Sequence, residues 1–249
     1  MRLLIVSDLH VWGDDDPLYE SLLRLLKNEA TPGDTVVLAG DLFDLFVGNK
    51  RIFISRYRRF FEGLREAGQR GVHVHYIEGN HDFLIRKTFQ KIPGLWVHSS
   101  DVQIETGGRR FFVSHGDLVD RKDYGYRALR GFFRSPVMRA FIWMMPGAWI
   151  DWIGQTSSKR SRAKNPALPM QLPQERMDGL RRVYRNYASA KFSEGFDFVV
   201  MGHCHDLDEM RLKVGEREGQ YINVGYPRTH GSFLFWSPEQ ARIERRPLP

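Results

Sequence analysis

The chain has little of what marks a disulfide-bonded or membrane-spanning protein. Its 249 residues include one cysteine, Cys204, which excludes an intrachain disulfide framework and is typical of a reducing compartment. The first ten residues, MRLLIVSDLH, contain too short an apolar run for a signal-peptide core or a spanning helix. We therefore expect a cytoplasmic protein. The apolar content of 42% is enough for a large buried core.

Acidic side chains are scarce in one part of the chain. Residues 119–164 contain ten Lys or Arg and three Asp, so this segment carries a net charge of +7, equal to that of the whole protein. Three of the six tryptophans lie within residues 143–152 of the same segment. A segment that is both basic and aromatic is typical of a surface that meets a membrane, an anionic amphiphile or nucleic acid.

The longest uncharged stretch of this segment, residues 140–150, is eleven residues long and too short to span a bilayer. It can dip into the membrane interface or cover acyl chains. Alternatively, its aromatic side chains pack the segment onto the rest of the protein. The tryptophans cluster here and are not spaced among arginines as base-stacking residues usually are, so we expect no nucleic-acid partner. The sequence gives no evident signal for a protein partner.

Strand-like and helix-like segments alternate in the first half of the chain, which is typical of an α/β protein. Helices are predicted at Pro17–Asn28, after a cap at Asp16, and at Phe53–Ala67. The segment QIETGGRRFFV, residues 103–113, predicts a hairpin and therefore a mixed sheet. Strands are predicted at Leu3–Val6, Val36–Ala39, Val72–Ile77, Phe111–Val113, Phe196–Met201 and Tyr221–Val224.

The pattern changes after His115 to helical, arginine-rich and aromatic sequence. We interpret residues 119–194 as a helical cap inserted into an α/β core, which residues 1–118 and 195–249 form together. The insertion ends with a long predicted helix from Gln174 to about Ser193.

Polar residues of the types that bind metals follow five predicted strands. Because the loops at the carboxyl ends of strands converge in open α/β sheets, we expect these side chains to meet at one site. Residues two apart on a strand share a face, so Asp8 and His10 point together, as do His203 and His205, while Cys204 points into the core. The candidates are Asp8 and His10; Asp41; Asn80, His81 and Asp82; His115 and Asp117; and His203 and His205.

The donor set predicts two divalent cations rather than one. Seven donors are too many for a tetrahedral zinc site, and they suit two five- or six-coordinate ions that share a carboxylate, for which Asp41 is the candidate. Imidazole, carboxylate and amide ligands without thiolate are typical of Mn, Fe or Zn. Two divalent ions beside two carboxylates leave a surplus of positive charge, which attracts phosphate. The seven donors are Asp8, His10, Asp41, Asn80, His115, His203 and His205.

The motifs SDLH, GDLFD, GNHD, SHGD and GHCH, in this order, resemble those of the calcineurin-like metallophosphoesterases. The resemblance covers residues 1–117 and 195–230. It implies a four-layer α/β/β/α sandwich with two mixed sheets. It also implies one metal ion on Asp8, His10, Asp41 and His205, and a second on Asp41, Asn80, His115 and His203.

Within this superfamily, GNHDFL and HGDLVDRKDYGYRALRGFFRSP are similar to segments of the UDP-2,3-diacylglucosamine diphosphatases, manganese-dependent peripheral-membrane enzymes of lipid A biosynthesis. The resemblance implies two Mn²⁺ ions, a lipid-linked nucleotide-sugar substrate, and a cytoplasmic protein associated with the inner face of the inner membrane. It implies substrate contacts from Asn80, His81, Asp123, Tyr126, Arg130, Ser161, Asn165 and His203.

The activity implied by the resemblance is hydroxide attack on the α-phosphorus of UDP-2,3-diacylglucosamine, which gives UMP and 2,3-diacylglucosamine 1-phosphate. His81, oriented by Asp44, would stabilise charge on the phosphate or protonate the leaving group. Asp117 or Asp206 would hold ligand imidazoles in the required tautomer. The catalytic residues would be Asp41, Asn80, His81 and His115.

The chain departs from this family's pattern at three places that concern the substrate. His81 replaces the usual arginine, GYP at Gly225–Pro227 replaces GDW, and Leu168 replaces a lysine. Two alternatives therefore stay open. One is a phosphoesterase that acts on another phosphodiester, such as a nucleotide or nucleic acid, and the other is a non-catalytic, metal-dependent scaffold.

Overall fold

Two large β-sheets pack face to face in the computed structural model, which describes residues 1–164, 173–215 and 217–249. The elements of the first half are β1 (Leu3–Val6), α1 (Pro17–Arg24) with a π-helical turn (Leu25–Glu29), β2 (Thr35–Leu38), β3 (Phe46–Val47), α2 (Arg51–Arg56), α3 (Arg58–Gln69), β4 (His73–Ile77), β5 (Asp82–Phe83), α4 (Arg86–Phe89), β6 (Leu95–His98), β7 (Asp101–Thr106) and β8 (Arg109–Ser114).

The second half begins with helices and returns to strands. Its elements are α5 (Tyr124–Phe133), α6 (Pro136–Met144), α7 (Gly147–Lys164), α8 (Gln174–Ser193), β9 (Phe198–Met201), β10 (Glu209–Val214), β11 (Arg217–Asn223), α9 (Pro227–His230), β12 (Ser232–Trp236) and β13 (Glu244–Pro247).

Both large sheets are mixed. The first has the order β13-β12-β1-β2-β4-β6, with β1, β2, β4 and β6 parallel and β12 antiparallel to β1. The second has the order β10-β11-β9-β8-β7, with β8, β9 and β11 parallel and the two edge strands antiparallel to their neighbours. Parallel strands end at the same edge of a sheet, so the loops after them lie together.

The core has three buried clusters that define four layers. Between the sheets, Ile5 and Val37 of the first sheet share a cluster with Val113 and Val200 of the second. On the outer face of the first sheet, strand residues such as Leu4 cluster with α1 and α3. On the outer face of the second sheet, β9 clusters with Tyr184, Ala188 and Phe192 of α8. The predicted α/β/β/α sandwich with two mixed sheets is therefore confirmed.

The predicted helix Phe53–Ala67 is interrupted at Tyr57, where the backbone has φ −108° and ψ 32°. The buried Tyr57 hydroxyl donates a hydrogen bond to the Val11 carbonyl at 3.1 Å, and its ring centroid is 4.0 Å from that of Phe43. The apolar pattern did not predict this break, because α2 and α3 bury their apolar faces in the same cluster.

The segment of residues 119–194 contains α5 to α8, and its first and last helices contact different parts of the core. The C-terminal part of α8 forms the outer layer on the second sheet. The helices α6 and α7 lie beside the first sheet's helical layer, where Ile142 and Ile150 join the cluster around α2 and α3. The helix α5 precedes them and contacts Asp117, after β8. Within the described ranges, every helix is too short or too polar to cross a membrane.

An ion pair attaches α7 to α2. The Arg56 guanidinium donates two hydrogen bonds, at 2.7 and 2.6 Å, to the two carboxylate oxygens of Asp151. The Asp151 residue is 7% exposed, so little water screens this pair. Because a two-point guanidinium–carboxylate contact fixes orientation as well as distance, it holds α7 in register on the core.

We expect Asp151→Ala to lower the free energy of unfolding by about 1–3 kcal/mol, because it removes two charge-assisted hydrogen bonds and leaves Arg56 without this partner. Urea denaturation of both single variants and of the Arg56→Ala/Asp151→Ala double variant measures the pairwise term. We expect a coupling energy of about 1–2 kcal/mol. Additive losses would contradict a stabilising role for the pair.

Candidate metal centre

Five loops from both sheets meet at one site. Three follow β1, β2 and β4 of the first sheet, and two follow β8 and β9 of the second. Hydrogen bonds between backbones tie the loops together: Asp8 N donates to Gly40 O at 3.0 Å, and Gly202 N donates to His115 O at 2.8 Å. All seven predicted donors lie on these five loops.

Asp8, His10 and His205 form the first group of donors. The Nε2 atoms of His10 and His205 are 3.4 Å apart, and His205 Nε2 is 3.3 Å from Asp8 Oδ1. Asp8 is fully buried, and the two histidines are partly exposed. One ligand atom of each residue lies within 4.8 Å of the others, which is close enough for one cation to contact all three.

Asp41, His115 and His203 form the second group, again with ligand atoms within 4.8 Å of one another. Asn80 belongs beside them, since its Oδ1 is 3.1 Å from His115 Nε2. His115 Nδ1 donates to the Ala39 carbonyl at 3.0 Å, which fixes the tautomer and turns Nε2 toward the other donors.

The carboxylate of Asp41 lies between the two groups. Its Oδ2 atom is 3.9 Å from His10 Nε2 in the first group and 3.5 Å from His115 Nε2 in the second. Its Oδ1 atom accepts a hydrogen bond from His81 N at 2.9 Å. One oxygen of Asp41 is therefore within reach of both groups, while the other is held by the backbone.

The donors do not meet by alternation along strands, as the sequence pattern suggested. β1 ends at Val6 and β9 at Met201, before their donors begin. Five donors instead have left-handed backbones, a conformation that side chains other than glycine adopt at a cost of about 1 kcal/mol or more each. Their φ angles are 56° at Asp8, 47° at His10, 52° at Asp41, 68° at His203 and 57° at His205.

Two glycines lie directly against the two ligand carboxylates. A Cβ atom on Gly79 would be 2.1 Å from Asp41 Oδ1 and 2.5 Å from the Asp41 backbone nitrogen. A Cβ atom on Gly202 would be 2.3 Å from Asp8 Oδ2. Each glycine is needed because the loop passes its carboxylate too closely for any side chain.

Asp82 supports the site without being a predicted ligand. It is fully buried, and its carboxylate accepts hydrogen bonds from the backbone nitrogens of Asp41, Leu42 and Gly79 at 2.8–2.9 Å and from the Tyr76 hydroxyl at 2.7 Å. Burial and the neighbouring Asp41 raise the pKa of Asp82 to about 7. The residue therefore locks the loops after β2 and β4 to each other.

The electrostatics of the centre fit divalent cations. Among the described residues, the ion-pair partners of Asp8 and Asp41 are histidines alone. Burial lowers the pKa of His10 to about 4, and burial and His115 lower that of His203, so both imidazoles offer free lone pairs. Burial lowers the pKa of His115, but Asp41 and Asp8 outweigh it and raise the value to about 10. A proton on His115 thus occupies the place that a cation would take.

His81 lies at the edge of the first group, with its ring centroid 4.8 Å from that of His10. Its Nδ1 donates to the Asp44 carbonyl at 2.8 Å, so the orienting partner is the backbone of Asp44. The Asp44 carboxylate lies within 4.8 Å of ligand nitrogens of His10 and His81. Burial opposes protonation, but Asp41 and the Asp44 carbonyl raise the pKa of His81 above its ordinary value.

Two of the five substrate contacts predicted within residues 119–194 lie beside the centre. The Tyr126 hydroxyl and Arg130 Nε both donate to Asp117 Oδ2 at 2.6 Å, and the Tyr126 ring centroid is 6.0 Å from that of His203. Asp123 is exposed and caps α5 through a hydrogen bond from Tyr126 N. Ser161 lies near the end of α7, with a side chain outside the described set, and Asn165 lies outside the described residues.

The predicted partners of the ligand imidazoles differ from those observed. Asp117 binds Tyr126 and Arg130, and Asp206 binds the Arg181 guanidinium at 2.6 and 2.9 Å. The tautomer of His115 is instead set by a backbone carbonyl. Carbonyl partners leave no signal in the sequence, because every residue has one.

Sequence reasoning also missed two contacts on donors and their loops. The Tyr226 ring stacks on His205, with centroids 4.5 Å apart and planes 14° from parallel. Arg134 Nη2 donates to the Gly79 carbonyl at 2.7 Å, next to Asn80. Tyr226 lies in the GYP segment, so the only available signal was that this segment departs from the family pattern.

Comparisons with known proteins place this chain near phosphoesterases. The family model of the calcineurin-like phosphoesterases matches residues 1–207. The UDP-2,3-diacylglucosamine hydrolase of Aeromonas salmonicida (strain A449) is 28% identical over 252 residues, which are 100% of this chain and 95% of that protein. The UDP-2,3-diacylglucosamine hydrolase of Escherichia coli O7:K1 (strain IAI39 / ExPEC) is 24% identical over 94% of each chain. A solved phosphoesterase from Escherichia coli aligns over 100% of both chains with 16% identity and a TM-score of 0.41.

The family model covers both donor groups, from Asp8 to His205. The predicted family and the predicted class of enzyme, a phosphoester hydrolase, are therefore confirmed. The chain belongs to the calcineurin-like phosphoesterase family.

Proposed function

We propose that this phosphoesterase hydrolyses the pyrophosphate bond of UDP-2,3-diacylglucosamine at a two-metal centre, giving UMP and 2,3-diacylglucosamine 1-phosphate. One observation carries the two-metal part: Asp41 Oδ2 lies 3.9 Å from His10 Nε2 and 3.5 Å from His115 Nε2. A carboxylate oxygen shared in this way suits two ions about 3.5–4 Å apart, the usual spacing in two-metal hydrolases.

The ligand assignment follows the two groups of donors. Asp8, His10 and His205 would hold one ion, Asn80, His115 and His203 the other, and Asp41 both. Mn²⁺ is the metal we propose, and the same ligand chemistry also accepts Fe or Zn. When bound, two such ions supply a nucleophile from water at neutral pH and neutralise charge on the phosphate.

The residues around the metal ligands position the substrate and handle the proton. His81 is held through Nδ1 by the Asp44 carbonyl, so its Nε2 is free to hold a second proton. Its raised pKa favours this protonated form, which can donate to a phosphate oxygen or to the leaving oxygen. Tyr126 and Arg130 lie on the opposite side, next to His203, where they border the space for the sugar phosphate.

The lipid part of the proposal rests on relatives and on an exposed apolar surface. The two relatives described above are named for UDP-2,3-diacylglucosamine and match this chain over nearly its whole length. Trp143, Trp149 and Trp152 are 75%, 65% and 69% exposed, although Ile142 and Ile150, each next to one of them in the sequence, are buried. We propose that α5 to α7, the exposed part of the 119–194 segment, form a cap that contacts acyl chains and the membrane surface.

We expect the purified, Mn²⁺-loaded protein to release UMP from UDP-2,3-diacylglucosamine in neutral detergent micelles, and to leave DNA and RNA intact. The reason is that the metal centre selects phosphate chemistry, whereas the apolar cap selects an acylated substrate. The measurement is UMP by chromatography and the acylated sugar phosphate by mass spectrometry.

Asp41→Ala is the matched control. It should reduce UMP release at least about 1,000-fold and reduce the bound metal, because one change removes a ligand from both ions. Full activity at full metal content would contradict the bridging role of Asp41. Hydrolysis of nucleic acid with no action on the lipid would replace the proposed substrate with the nucleic-acid alternative.

A second prediction concerns the glycine that lies against Asp41. Gly79→Ala should reduce UMP release by at least about 100-fold, because its Cβ must displace the bridging carboxylate by about 1 Å or more. The control is Gly179→Ala in α8, where a Cβ meets nothing within 4 Å. Gly179→Ala should keep full activity and raise the free energy of unfolding by about 0.5–1 kcal/mol. Equal activity of the two variants would refute the close-approach argument.

A third prediction concerns the exposed cap. Trp149→Asp should weaken binding to lipid vesicles by at least about tenfold, because it places a charge on an interfacial surface. Hydrolysis of a short-chain, water-soluble analogue should change by less than about threefold. Co-sedimentation with vesicles and UMP release measure the two properties separately. Loss of both together would indicate that Trp149 has a structural role.

A further inference from the structure

A cavity of about 620 Å³ lies between the core and α6. Its core side is formed by the segments around Lys50, Arg86 and Val97, and its cap side by residues from Arg134 to Trp143. The predicted metal ligands and predicted substrate contacts are not among its described lining residues. The cavity is therefore a second candidate site, which adjoins the loop that carries Asn80 but contains no predicted metal ligand among its described lining residues.

The lining of this cavity is strongly basic. Five of its described lining residues are Lys or Arg, and the sole carboxylate among them is Glu78. Glu78 is 6% exposed, accepts a hydrogen bond from Ile85 N at 2.9 Å, and forms an ion pair with Arg134 at 3.7 Å. Its carboxylate therefore already has a hydrogen-bond donor and a cation as partners. The five cations are Lys50, Arg86, Lys87, Arg134 and Arg139.

Three of the five cations have a structural partner. Lys50 Nζ donates to the carbonyls of Trp143 and Met145 at the end of α6, at 2.9 and 2.6 Å. Arg86 donates to the Val97 carbonyl at 3.2 Å, and Arg134 to the Gly79 carbonyl. Carbonyl oxygens carry only partial charge, so these contacts orient Lys50 and Arg86 without neutralising them. Arg134 is in addition paired with the Glu78 carboxylate at 3.7 Å.

Lys87 and Arg139 differ from the other three. Within the described residues, neither side chain forms a hydrogen bond or an ion pair. They lie on opposite walls, Lys87 in α4 on the core and Arg139 in α6 on the cap. Two unpaired cations on opposite walls of a basic cavity leave a charge that an anion of phosphate type can neutralise.

The rim of the cavity is apolar and exposed. Trp143 lines the cavity one helical turn from Arg139 and is itself exposed. The exposed Val137, Phe141 and Met144 share the adjoining face of α6, about 100° or more round the helix from Trp143. A ligand that matches both the basic lining and the apolar rim of the cavity has an anionic head and an apolar tail. Charge complementarity and this continuity favour a membrane phospholipid over a free nucleotide or an acidic peptide.

We propose that this cavity binds the phosphate headgroup of an anionic membrane phospholipid, while the exposed face of α6 contacts its acyl region. The proposal rests on the proposed action at a membrane surface, but it concerns a site distinct from the one that cleaves the substrate. Lys87 and Arg139 supply the charge that discriminates anionic from zwitterionic lipid. Bound in this way, the protein would sit on the membrane through α6.

The experiment compares two charge-reversed variants that change the net charge equally. Lys87→Glu/Arg139→Glu reverses the two unpaired cavity cations. Lys27→Glu/Arg65→Glu reverses two exposed cations that do not line the cavity. Lys27 lies in the π-helical turn after α1, and Arg65 lies in α3. Co-sedimentation is measured with vesicles of phosphatidylcholine alone and with one fifth phosphatidylglycerol, and UMP release is measured in neutral detergent micelles.

We expect the cavity variant to bind the anionic vesicles at least about 30-fold more weakly, since each basic residue near an anionic surface contributes about fivefold. The control variant should lose less than about threefold, and both should release UMP from micellar substrate at the parent rate. sn-Glycerol 3-phosphate should compete with anionic vesicles for the parent protein, whereas inorganic phosphate should compete weakly.

Three outcomes would overturn the proposal. Equal loss of vesicle binding in both variants would mean that only net charge matters. A cavity variant that loses UMP release in micelles as strongly as vesicle binding would assign the cavity to the substrate. Equal competition by inorganic phosphate, with unchanged vesicle binding of the variant, would make the cavity a free-phosphate site. None of these results bears on substrate identity, which UMP release by the parent protein tests alone.

Discussion

The arrangement depends on two buried carboxylates, Asp8 and Asp41. Within the part of the chain that the structure describes, their ion-pair partners are histidines, with no lysine or arginine. Burying an ionised carboxylate costs several kcal/mol unless positive charge compensates it. Asp8 is fully buried and Asp41 is 2% exposed, and the pKa shift of His115 to about 10 shows how strongly this pair attracts positive charge. Divalent cations satisfy that demand. The same demand explains why five donors keep left-handed backbones, a strain that is tolerated where ligands must converge.

The sandwich makes this convergence possible because the loops that follow the parallel strands of both sheets meet at one site. The loops after β1, β2 and β4 carry four of the donors, and the loops after β8 and β9 carry three. The four are Asp8, His10, Asp41 and Asn80, and the three are His115, His203 and His205. One backbone hydrogen bond among the loops of each sheet, and the four hydrogen bonds to Asp82, hold the loops at fixed separations. Across the sheets, His115 Nδ1 donates to the Ala39 carbonyl and His203 N donates to the Asp8 carboxylate. The glycines then allow each loop to pass the neighbouring carboxylate within van der Waals contact. The centre is therefore a property of the sheet packing rather than of any one loop.

Alternating strands and helices predicted an α/β protein, and the resemblance to the calcineurin-like family implied its four layers. Polar residues after apolar runs indicated the seven donor candidates, which the structure brings together on five loops. The sequence did not predict how the donors meet, since left-handed backbones at Asp8 and His203 follow no residue periodicity. It missed the break at Tyr57, because α2 and α3 have continuous apolar faces. It also missed contacts that use backbone carbonyls, such as Ala39 with His115. β12 was missed as well, although Ser232–Trp236 is buried throughout and Trp236 belongs to the cluster between the sheets.

Among the described residues, charged contacts tie each of the helices α5, α6 and α7 to the core, and those of α5 adjoin the metal centre. Asp117, two residues after His115, receives both Tyr126 and Arg130 of α5, while Lys50 holds the end of α6 and Arg56 holds α7. Because α5 is fixed this close to His115 and His203, α6 and α7 cannot shift freely relative to the centre. A membrane contact made by their exposed tryptophans would therefore set the orientation of the metal centre toward the bilayer. That coupling gives a physical reason for exposing apolar side chains whose neighbours, Ile142 and Ile150, pack inward without difficulty.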